Sequence, residues 1–181
     1  MHRSRRIIVA IAFAITASSV VASTLLPLKL DDLATRAESI VVATVADVTP
    51  RFNDAHTLIV SDVSLAVDET VAGASVSYLT VSEYGGRVGD VELVVPGLPR
   101  FELGERVVLF VCRDALGLAR TCGASQGRLR VVEDAGGALR AVGMTGDGPV
   151  DEPLVSLKAR VRSLRAGAGR RPRPRRRAFP A

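Results

Sequence analysis

The amino-acid sequence predicts a mainly β protein, a closed barrel of five to six strands with a short helix before it and a longer helix after it. Three observations lead there. β-Branched residues crowd Ile40 to Val48 and Val107 to Val111. Thr57 to Glu69 alternates apolar and polar positions. Clusters of Gly, Pro, Asn and Asp separate such runs at nearly even spacing, as they do in small barrels.

The elements follow in order. Leu28 to Ala37 carries Leu30, Leu33 and Ala37 on one helical face. Ile40 to Val48 is apolar on both faces, as a strand covered on two sides requires, and Pro50 is expected to end it. In the next strand Ile59, Val63, Leu65 and Val67 share one face, while Asp62, Ser64 and Asp68 share the other. The turn residues Arg51 to His56 and Thr70 to Gly73 join these strands and Ser75 to Ser82 into a meander. Tyr84 to Asp90 is glycine-rich and reads as a flexible loop. Val91 to Val95 and the corner Pro96 to Pro99 lead to a buried strand, Arg106 to Cys112. Arg128 to Glu133 and Ala138 to Val142 flank Asp134-Ala135-Gly136-Gly137 as a hairpin. A loop, Gly143 to Val150, precedes a helix starting near Asp151 or Pro153. Its stripe is Leu154, Leu157, Val161 and Leu164, with Lys158, Arg160, Arg162 and Arg165 toward solvent.

The two ends differ from this body. Residues 1–22 combine His2, Arg3, Arg5 and Arg6 with an apolar run from Ile7 and small residues at Val20-Val21-Ala22, the composition of a secretory signal peptide cut after Ala22. The uncharged stretch from Ile7 to Lys29 approaches the ~20 residues of a spanning helix, so a retained anchor is the alternative. Either way the rest of the chain is exported, to the periplasm or beyond. Residues 23–166 then form a single domain, and 167–181, rich in Arg and Pro, form a disordered tail.

Charge follows the same division. The chain carries 24 Lys and Arg against 19 Asp and Glu, a formal net charge of +5. Three of those bases lie in the leader, and six lie in the tail as Arg170, Arg171, Arg173, Arg175, Arg176 and Arg177. The body therefore keeps 15 bases against 19 acids and is itself acidic, which speaks against a specific nucleic-acid domain. Aromatics are only 4% of residues and Trp is absent, so few platforms exist for stacking bases. The tail could still hold a polyanionic envelope surface. Cys112 and Cys122 are the only cysteines, and an oxidising compartment favours a bridge between them over two free thiols.

The run Ala37-Glu38-Ser39-Ile40-Val41-Val42-Ala43-Thr44-Val45, then Val63 to Val67 leading to Val71-Ala72-Gly73, then Phe101 to Phe110, resembles the netrin-like OB barrel of tissue inhibitors of metalloproteinases. The resemblance covers Leu30 to Glu133 and implies an extracellular metalloprotease as a partner. The chain departs from the family at its functional end. The inhibitors chelate zinc through an amino-terminal cysteine, whereas a chain cut after Ala22 begins at Ser23 and has no cysteine before Cys112.

Catalytic chemistry has little to draw on. His56 is the one histidine outside the leader, and it sits in a polar turn beside Asn53 and Asp54, which favours a surface role over a general base. No ligand spacing for zinc occurs. Glu83, Asp90, Glu92, Glu102 and Glu105 gather around the glycine-rich stretch, where solvated loop acids are favoured over a calcium site. No cofactor and no catalytic residue is expected. The sequence thus points to a monomeric, non-enzymatic module binding another exported protein through two loops, with Phe52, Asn53, Asp54 and His56 in one and Tyr84, Arg87 and Asp90 in the other. The alternative is an envelope-associated structural protein tethered by its tail.

Overall fold

A computed structural model describes residues 26–168. The expected leader and all six tail arginines lie outside the described residues. Among the described residues there are ten strands, two α-helices and a 3₁₀ turn: α1 (Leu30–Arg36), β1 (Ser39–Phe52), β2 (Ile59–Ala72), β3 (Tyr78–Tyr84), β4 (Gly86–Val88), β5 (Val91–Leu93), β6 (Arg106–Arg113), β7 (Ala119–Thr121), the 3₁₀ turn (Ala124–Gly127), β8 (Arg128–Glu133), β9 (Leu139–Thr145), β10 (Gly148–Pro153) and α2 (Leu154–Ala168).

The mainly β class holds, and every pairing is antiparallel. The closed barrel of five to six strands does not. The main sheet runs β10-β9-β8-β6-β1-β2-β3, with β7 added to β6 and β4-β5 forming a separate hairpin. The path β7-β6-β1-β2-β3 curls until its two ends approach, but no backbone ladder joins them. The groups a ladder would use are taken by side chains: the Arg120 guanidinium donates to the Ser82 carbonyl at 2.6 Å, and the Thr121 amide donates to the Glu83 carboxylate at 2.6 Å.

The double-sided burial read from β1 is realised. Ile40 and Val42 face a core shared with Leu33 of α1, Phe110 of β6, Leu129 of β8 and Leu157 and Val161 of α2. Val41, Ala43 and Val45 face a second core inside the curl, with Val63, Leu65, Val81, Val107, Leu109 and Val111. A period of two thus splits one strand between two cores. Pro50 does not end β1, which continues to Phe52. β6 pairs with β1 only as far as Thr44, so Pro50 lies where β1 has a ladder on one side alone, a position that tolerates proline.

Four further readings change. The glycine-rich loop is the β4–β5 hairpin, turning at Gly89 and Asp90. Much of the loop Gly143 to Val150 belongs to the β9–β10 hairpin, so that α2 starts at Leu154, immediately after Pro153. α2 also takes in the first two residues of the expected tail, ending at Ala168. Its basic side chains do not simply face water. Lys158 and Arg162 both bind Glu69 of β2 at 2.6 Å, Arg160 binds Glu152, and Arg165 donates to the carbonyls of Ala34 and Ala37. The Lys158 hydrogen bond holds the Glu69 carboxyl below the ordinary carboxylate range, against the opposing effect of its burial.

Cys112 and Cys122 form a disulfide, with Cα atoms 5.1 Å apart. No helix among the described residues is long and apolar enough to cross a membrane.

Candidate binding cleft

The β4–β5 hairpin folds back over the far ends of β1, β2 and β3. Gly86 makes this approach possible. Its φ is +124°, and a Cβ there would run into the Ser61 hydroxyl and crowd Pro50, so a side chain would strain this corner. The same hydroxyl donates to the Gly85 carbonyl at 2.7 Å and pins the corner. Between the hairpin, the strands and the Pro96–Pro99 corner lies a cleft of about 170 Å³. Val48, Val63, Leu93, Val95, Leu98 and Phe101 give it apolar walls, and Glu83 is its buried acid.

Glu83 is only 4% exposed. Its Oε1 accepts the Thr121 amide, and among the described residues no hydrogen bond reaches Oε2. Burial pushes its carboxyl above the usual carboxylate range, opposed by the hydrogen-bonding groups of Thr121 and the positive charge of Arg120. The Thr121 hydroxyl is itself buried and makes no hydrogen bond of proper geometry. Arg120 does not neutralise Glu83 directly. It bonds Asp114 at 2.7 Å, reaches the Ser82 carbonyl and lies over the Tyr84 ring, 4.2 Å from its centroid. The Arg120 hydrogen bond in turn holds Asp114 below the ordinary range. On the outer face of β3, Ser82 donates to Asp62, which also takes Arg51 at 2.9 Å. Burial of Asp62 is outweighed by these bonds, and its carboxyl is lowered.

The expected loop residues part company here. Tyr84 and Arg87 line the cleft; Phe52, Asn53, Asp54, His56 and Asp90 do not. Asn53 serves the β1–β2 turn, its Oδ1 accepting the amides of Thr57 and Leu58 at 2.8 and 3.0 Å. His56 has a φ of +52° in that turn, and its ring lies 5.6 Å from that of Phe52. The five acids do not converge either: Glu92 binds Arg87 and Arg100, and Glu105 binds Arg128 and Arg130. Among the described residues no three His, Cys, Asp or Glu side chains gather as metal ligands.

Glu83 is not a solvated loop acid. Its signal was present in the alternation Leu79, Val81, Glu83, which places an acid on the inward face of a strand.

The buried acid has a measurable consequence. A carboxyl whose pKa is raised by folding stabilises the native state fully only below its unfolded pKa of about 4.3, and that contribution is lost as pH rises through the folded value. Glu83→Gln keeps an acceptor for Thr121 and removes the ionisation. The variant is expected to melt above the parent chain at neutral pH, with the difference vanishing below about pH 4. Thermal melts across pH check this, and a variant less stable at pH 7 would contradict it.

No family model matches the chain, and no curated protein and no solved structure was found to match it.

Proposed function

We propose that the chain is an exported, non-enzymatic module that binds another protein by taking one of its exposed side chains into the cleft between β2–β3 and the β4–β5 hairpin. The carrying observation is the cleft itself, with apolar walls, a buried carboxylate and a volume of about 170 Å³. That is well under the roughly 300–1,000 Å³ of sites that enclose a cofactor or a drug-sized molecule, so one side chain is the matching guest. Tyr84, Val91 and Val94, exposed around it, supply apolar contact area for the surrounding partner surface. The disulfide accords with an oxidising compartment.

Panning random displayed peptides on the chain recovered from periplasm or medium tests the reading. Leu98→Trp fills the cleft from its wall, with a thermal melt as the check on folding. Wild-type protein is expected to enrich peptides that Leu98→Trp does not retain. Equal retention by both, or no enrichment, overturns the proposal.

A further inference from the structure

Resting on that reading, we infer that the side chain the cleft receives is a lysine of the partner polypeptide, its aliphatic stem lying along the apolar walls and its ammonium meeting Oε2 of Glu83. A guest that suits this cleft must be apolar along its length and cationic at its tip. Val48, Val63, Leu93, Leu98 and Phe101 flank the path inward, and a lysine covers such surface with four methylenes. At the inner end, Glu83 is all but buried; its Oε1 takes the Thr121 amide, while Oε2 has no hydrogen bond among the described residues and, not being one of the fully enclosed unpartnered atoms, opens to the cleft. A carboxylate so desolvated is costly unless it takes up a proton or pairs with a cation, and a cation is the partner that a guest can bring.

The neighbouring charges leave this role open. Arg120 is committed to Asp114 and to the Ser82 carbonyl, so it sits near Glu83 without a bond to it. At the mouth, Arg87 and Arg100 share Glu92 at 3.2 and 3.6 Å. Their residual positive charge is exposed and screened by water and salt, whereas the field of Glu83 acts inside a low-dielectric cleft. An arginine would bring a planar fork wider than the ammonium and five donors to a single free oxygen. A neutral aliphatic side chain would fill the walls and leave the carboxylate unmatched.

Titration followed by backbone amide shifts tests this on the exported chain. Nα-acetyl-lysine amide presents only a side-chain ammonium, glycinamide only a terminal one, and n-butanol a neutral chain. The lysine probe is expected to move the Thr121 and Glu83 amides saturably and to bind at least about tenfold more tightly than n-butanol, with Glu83→Gln losing that margin, as a desolvated charge pair does when one partner goes. Equal binding of n-butanol, preference for glycinamide, or an undiminished margin in Glu83→Gln overturns the lysine assignment. None of those results touches the broader reading, which fails if Leu98→Trp retains peptides as the wild-type protein does or if the wild-type protein enriches none.

Discussion

Phe110→Ala is expected to lower the unfolding free energy by about 3–5 kcal/mol, the range for removing a fully buried aromatic side chain. Phe110 is 0% exposed and is the largest fully enclosed side chain among the described residues. It projects from β6 into the core closed by α1 and α2, among Leu33, Leu157 and Val161. Phe52 and Phe101 are only partly buried and both tyrosines are exposed, so no second enclosed ring among the described residues can close over the void. The surrounding Ile, Leu and Val side chains are held by strands on one side and helices on the other, which limits their collapse. Against a typical stability of about 5–15 kcal/mol, this is a large fraction. Urea titration measures it directly. A loss under about 1.5 kcal/mol, the cost of a mild core swap, would mean that the helical layer is not seated on the sheet.

Removing the disulfide through Cys112→Ser with Cys122→Ser is expected to cost about 2–3 kcal/mol, the chain-entropy value for a bridge closing so short a loop. The sequence separation is 10. The effect reaches the cleft because of where the bridge sits. β7 has only three residues, paired as Val111 with Thr121, Cys112 with Arg120 and Arg113 with Ala119. Cys122 follows directly, so the bridge ties the end of this short strand to β6. Arg120 and Thr121, the residues that span to Ser82 and Glu83, are carried on that strand. Without the bridge, the Thr121 amide should exchange with solvent faster than amides of β1, because local opening of β7 no longer strains a covalent tie. Melts of oxidised and reduced protein, followed by hydrogen exchange at Thr121, check both parts. Coincident melts would remove the stabilising role, and unchanged exchange would detach the bridge from the cleft.

Glu83 links these results to binding. If the carboxylate is kept for a cationic guest, Glu83→Gln should be more stable at neutral pH and poorer at binding, the opposition expected where a site is held at a cost to the fold. The site shares its strands with the second core, since Val63 packs in the curl and also lines the cleft, and Val81 of the same core lies two residues before Glu83 on β3. Losses in Phe110→Ala, on the opposite face of β6, are therefore separable from changes in the cleft.

Much of the architecture was readable along the chain because it depends on neighbours in sequence. The two-sided apolar run expected over Ile40 to Val48 is buried on both faces as far as Val45, while the alternation of Ile59 to Val67 and the stripe Leu154, Leu157, Val161 and Leu164 each report a local period that lands on a buried or partly buried face. The turn at Asp134 to Gly137 follows from local chemistry, and the two lone cysteines pair. The strand count was underestimated at β4 and β7, three residues each and too brief for alternation to be distinguished from loop, and at the six-residue β10, whose Gly148, Pro149 and Pro153 read as a loop and a helix start.

The sequence by itself determined a β-rich chain with two flanking helices, which side chains enter the cores, and the cysteine bridge, since periodicity and composition are properties of adjacent residues. Tertiary structure alone decided that the sheet stays open between β3 and β7 and that Glu83 becomes a buried acid in an apolar cleft. The Thr121 amide that meets Glu83 is 38 residues away along the chain. Burial and desolvation are set by such distant partners, and no local pattern can state how two strands so far apart will face each other.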